Sequence, residues 1–176
     1  MIFIIQNTFI FIIKHNKYKL YFNITMNFIL TIDEYNIKNV YFTDSLENTV
    51  MDDGIFSKIL YSNSEITLNG IYLLCNFNNT TVEKISHNKF KVSWNKEKNI
   101  KLIEKIKLIE NNLLKKYGYE NMSLQLSNLV ENANFRIFTD NEKLNSNTDF
   151  LLRISGIWEN KNQCGITYKF LELNNI

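Results

Sequence analysis

The chain has 176 residues with a formal charge of +2, a length that suits one domain and hardly two. Apolar residues make up 45% of it, which excludes wholesale disorder, and the absence of proline excludes polyproline and collagen-like segments. These figures leave a β-leaning globular chain whose function must be argued from charge layout and motifs.

Residues 1–25 open on an uncharged run that ends at Lys14, after 13 residues. A membrane span needs about 20. Lys14, Lys17 and Lys19 follow the apolar stretch, whereas a secretory signal carries its positive charge in front. Residues 1–25 therefore read as an extension added by a misassigned start site, with Met26 as the true start of a β-rich domain over 26–176. An edge strand and a membrane-surface anchor are the competing readings.

From Met26 on, short segments rich in Ile, Phe, Tyr, Val and Thr predict strands at 27–32, 39–43, 55–61, 65–68, 71–77 and 88–94. Asp52-Asp53-Gly54 reads as a turn. Asn69-Gly70, between EITL and IYLL, predicts a tight hairpin because both residues tolerate positive φ. Ile100, Ile103, Ile106, Ile109, Leu113 and Tyr117 recur every three or four positions and predict a long amphipathic helix over 97–117. Asn95 or Asn99 can cap its start, and Gly118 follows its last turn. Residues 122–130 form a candidate second, short helix, and 135–138 a further strand.

The stretches 150–158 and 165–173 alternate and predict a closing hairpin around the polar loop NKNQ. Strict alternation puts Phe150, Leu152, Ile154 and Trp158 on one face and Arg153 and Ser155 on the other. Gly156 in mid-strand predicts a bulge or sharp bend, as barrel corners use. The fold class that follows is mainly β with one long amphipathic helix, an OB-like small β-barrel or curved sheet.

The chain holds 28 Asn, 24 Ile and 18 Lys against 1 Ala and 2 Arg, a bias towards AT-rich codons, so Asn or Lys abundance in itself argues little. Cys75 and Cys164 are too far apart for a disulfide framework and lack zinc-site spacing, so they read as reduced thiols of an intracellular protein. No P-loop, G-x-G-x-x-G, G-x-S-x-G or H-E-x-x-H motif is present. No catalytic residue, metal site or cofactor is predicted, and the chain reads as non-enzymatic.

Charge is segregated. Residues 26–83 carry 2 Lys against 8 acids, and residues 84–116 carry 10 Lys against 3 acids. In NKFKVSW, Lys89 and Lys91 share one strand face, with Phe90, Val92 and Trp94 on the other. Lysines on a strand face beside a lysine-rich helix suit a phosphate backbone, bound by counterion release. A solvated helix face over core aromatics would account for the same residues.

NGIYL at 69–73, LRISGIWENKNQCGITYKF at 152–170 and the order of MDDGIFSKILYSNSEITLNGIYLL at 51–74 resemble short β-rich proteins of nucleocytoplasmic large DNA viruses. Small proteins of that layout resemble OB-fold single-stranded-DNA-binding proteins. The resemblance implies a groove formed by Lys89, Lys91, Arg153, Trp158, Tyr168 and Lys169, single-stranded nucleic acid as partner, and action in host cytoplasm or at a viral replication site. Such binders often end in an acidic tail, whereas this chain ends LELNNI. The alternative is a structural or virion-associated β-barrel that acts by self-association or contacts with other virion proteins.

Overall fold

The computed structural model describes residues 2–5, 26–48, 53–139, 141, 143–146 and 148–173, so most of the stretch 1–25, expected as an extension, lies outside the described residues. The chain is mainly β, with 47% strand and 22% helix, and its large sheet curls into a half-barrel. Strands run in order as β1 (Ile2–Ile5), β2 (Met26–Thr31), β3 (Val40–Phe42), β4 (Leu46–Asn48), β5 (Gly54–Ser62), β6 (Thr67–Leu68), β7 (Ile71–Cys75), β8 (Thr80–Ser86) and β9 (Lys89–Trp94). A 3-10 turn (Glu97–Asn99) leads into α1 (Ile100–Tyr117), followed by β10 (Met122–Ser123), α2 (Gln125–Glu131), β11 (Asn134–Phe138), β12 (Phe150–Glu159) and β13 (Cys164–Glu172).

The large sheet is organised by β12. Its first half, Phe150 to Ile154, pairs antiparallel with β7; its second half, Gly156 to Glu159, pairs antiparallel with β5. The ladder to β13 shifts register between Ile154 and Gly156, which is the bulge that Gly156 predicted. A Cβ at Gly156 would lie 2.3 Å from Cζ of the Phe56 ring and 2.5 Å from the carbonyl oxygen of Ser57, so glycine is what lets β5 approach. One extra residue bends the strand and lets it serve two neighbours, which curls the sheet.

The bulge also corrects a predicted face. Counted through it, alternation put Trp158 with Phe150, Leu152 and Ile154. Instead Ile157 takes the core position, fully buried, and half-buried Trp158 turns to the opposite side. The hairpin expected at Asn69-Gly70 is a second correction. β6 pairs back onto β5 through a turn at 63–66, where the Asn63 side chain accepts from the amides of Glu65 and Ile66. β7 leaves for β2 and β12, so Asn69-Gly70 redirects the chain between ladders rather than closing one. A turn signal fixes local backbone, while pairing is decided by which apolar face the next strand must bury.

The helix forms as its periodicity predicted. Asn95 caps the 3-10 turn by accepting from Lys98 N at 3.0 Å, and Gly118 ends α1 in the left-handed region at φ 92. Buried Asn99 does not cap; its side chain clamps both the amide and the carbonyl of Asn78. Ile103, Ile106, Ile109 and Leu113 pack into the curl, but Ile100 is 54% exposed because the first turn lies outside the packed stretch. Glu110 is fully buried on that same face. Its carboxylate accepts from the backbone amides of Leu126 (3.0 Å) and Ser127 (2.6 Å) and from the Ser127 hydroxyl, and so caps the start of α2.

The second sheet is small, in the order β11-β9-β8. Its inner face presents Phe90, Val92, Trp94, Phe135 and Ile137, all buried. Phe135 stacks on Phe170 of β13 with ring centroids 4.2 Å apart and meets Phe150 edge-on, so aromatic packing ties the two sheets together.

Candidate nucleic-acid interface

Because side chains alternate along a strand, the buried row of the small sheet dictates an outward row. On β9 that row is Lys89, Lys91 and Ser93. Register places Arg136 directly across from Lys91 on β11, and Phe138 across from Lys89. On the other side, Glu83 and Thr81 of β8 stand opposite Lys91 and Ser93. Three basic side chains therefore occupy adjacent positions beside one aromatic ring. Phe138 is 65% exposed, and the Lys89 ammonium lies 5.3 Å from its centroid. Neither Arg136 nor Phe138 was among the residues expected from the sequence. Their signal was available: FRIF alternates as KFKVSW does, so a buried Phe135 and Ile137 imply an outward Arg136.

Arg153 and Lys169 are cross-strand neighbours, but on the outer face of the large sheet. The Arg153 guanidinium lies 5.5 Å from the ring centroid of Tyr72, its register partner on β7, and its Nε is buried without a hydrogen-bond partner. Trp158 joins neither patch. It lies across Gly165, where a Cβ would come within 2.5 Å of the indole ring. Tyr168 faces inward and half-buried; burial, then the charge of Glu110, pushes its hydroxyl up to about 12. It lines an open groove of about 780 Å³ between α2, the edge of β11 and β13, and Arg136 lines the same groove. The six expected residues thus divide into Lys89 with Lys91, Arg153 with Lys169, Tyr168 at the groove, and Trp158 apart.

The lysines of the helical segment are not pooled with those of β9. Lys96 and Lys107 both bind Glu131, whose carboxyl these bonds hold below the usual range. Lys105 binds Asp33. Lys116 donates to the carbonyls of Ile37 (2.8 Å) and Val40 (2.6 Å). The basic block of the sequence is therefore partly spent within the fold, and its strand portion is the part that lies outward beside Arg136.

Among the described residues, no cluster of three or more His, Cys, Asp or Glu side chains could hold a metal ion, and no helix is long and apolar enough to cross a membrane. Cys75 and Cys164 are buried free thiols, with burial pushing Cys75 up to about 12. Comparison with protein-family models, with curated proteins and with solved structures finds no match to this chain.

Proposed function

We propose that the outer face of the small sheet binds single-stranded nucleic acid without chemistry of its own. The observation that carries this reading is the block of Lys89, Lys91 and Arg136 in adjacent register beside the exposed ring of Phe138. Cations at strand spacing follow a phosphate backbone and release its counterions. An exposed aromatic gives a base a surface to stack on, worth about 1–3 kcal/mol. The charge-segregated sequence and its resemblance to small proteins of large DNA viruses support the same reading, which would set the protein to work where viral nucleic acid is copied or packaged. Fluorescence anisotropy with labelled oligo-dT tests it. Binding should be measurable at low salt and fall steeply as salt rises; no binding at low salt rejects the reading.

A structural role has one observation in its favour. Among the described residues β8 pairs only with β9, and Ile85 on that open edge is 47% exposed. An open edge with an apolar residue invites pairing with a second copy. Sedimentation of the recombinant protein separates the two readings: a concentration-dependent dimer that Ile85→Lys abolishes supports the structural one.

A further inference from the structure

We infer that the groove between α2 and the edges of β11 and β13 receives the bases of the strand whose backbone crosses the small sheet. This inference rests on the nucleic-acid reading and extends it from a charge track to base recognition. Arg136 connects the two parts, since it stands in the outward row beside Lys91 and also lines the groove. The edges of β11 and β13 come together through Phe135 and Phe170 but form no ladder among the described residues, so the seam stays open. The groove is about 780 Å³. Its lining is polar: the exposed side-chain amides of Gln125, Asn128 and Asn132 and half-buried Tyr168 border it. Each amide offers a donor and an acceptor side by side, the complement of a base edge, and the Tyr168 ring offers a stacking surface. An amide N–H can donate to a phosphate oxygen as well, but the amide oxygen beside it finds a donor on a base edge and none on an ionised phosphate, so the paired groups are matched more fully by bases than by backbone.

The test uses Phe138→Ala as background, which removes stacking on the sheet face. Oligo-dT, oligo-dA and oligo-dC are compared with an abasic oligodeoxyribose phosphate of equal length, with and without Asn128→Ala and Asn132→Ala. Both substitutions lie at the groove rim, and circular dichroism checks that the fold is kept. The inference expects the abasic strand to bind at least tenfold more weakly than the best base-bearing strand. It also expects the double substitution to bring the three homopolymers within about twofold of one another, with the salt dependence unchanged. Equal binding of abasic and base-bearing strands, or preferences untouched by the substitutions, overturns the groove and leaves the backbone reading standing. If no oligonucleotide binds the unsubstituted protein at low salt, the backbone reading falls first and the groove with it.

Discussion

On the outer face of the large sheet the aromatic rings lie on glycines: Phe56 crosses Gly156, and Trp158 crosses Gly165. Arg153 there lies over Tyr72. On the outer face of the small sheet, Phe138 has no glycine beneath it and remains 65% exposed, with Lys89, Lys91 and Arg136 around it. The two faces use the same residue types. The difference is that rings on the first complete the packing over glycine positions that lack side chains, while the ring on the second packs over no glycine and stays largely open to solvent beside Lys89. An aromatic or an arginine on a strand is thus informative about binding only once its cross-strand neighbours are known.

The sharpest way to break this comparison is to exchange a ring between roles. Phe135→Ala removes the ring that stacks on Phe170 and should cost about 3–5 kcal/mol in urea unfolding. Phe138→Ala, three residues on, should stay within about 0.5 kcal/mol. Comparable losses would mean that the outward ring is structural after all. Next in size, Gly156→Ala should cost about 3 kcal/mol, because the new methyl meets backbone at Ser57 as well as the Phe56 ring. Gly165→Ala should cost less, about 1 kcal/mol, since half-buried Trp158 can swing aside. A reversed order would undo the account of the two glycines.

High pH should produce a smaller loss. Burial raises Cys75 to about 12 and Tyr168 to about 12, and burial followed by the charge of Glu159 raises Cys164 to about 11. The unfolded chain gives up these protons at ordinary values while the folded one holds them, so the unfolded state binds fewer protons and stability falls as pH rises. Urea midpoints should be level from pH 7 to 8 and decline from about pH 9 upward. A rise over that interval would contradict the burial of these groups. Smallest in stability is the pair Lys89→Ala and Lys91→Ala, with a change within about 0.5 kcal/mol. Its effect belongs to binding, where the slope of log affinity against log salt should shrink by about 1.4 for two lost single-strand phosphate contacts. An unchanged slope removes both lysines from the interface.

Features written in consecutive residues were legible. The periodicity from Ile103 to Tyr117 predicts α1, and Gly156 predicts the bulge, because each depends on neighbours along the chain. Features that depend on pairing were not. Strand β8, TTVEKIS, escaped prediction because an exposed edge strand buries little and so alternates weakly. Arg136 joins Lys91 only once β11 is paired with β9. Glu110 reads as one more solvated acid until the start of α2 supplies amides to its carboxylate. Trp158 was assigned to the wrong face for want of one residue in the count, although the same sequence announced the irregularity that shifts it.

That irregularity sets what a deletion would do. Ser155 is the residue through which inside and outside trade places along β12. Removing it would keep Ile157 inward and the indole of Trp158 outward, because with one residue fewer plain alternation yields those same faces, but it would take away the local bend that lets one strand follow two partners. The curvature of the half-barrel thus depends on one supernumerary residue, which could be lost without moving any neighbour to the other face.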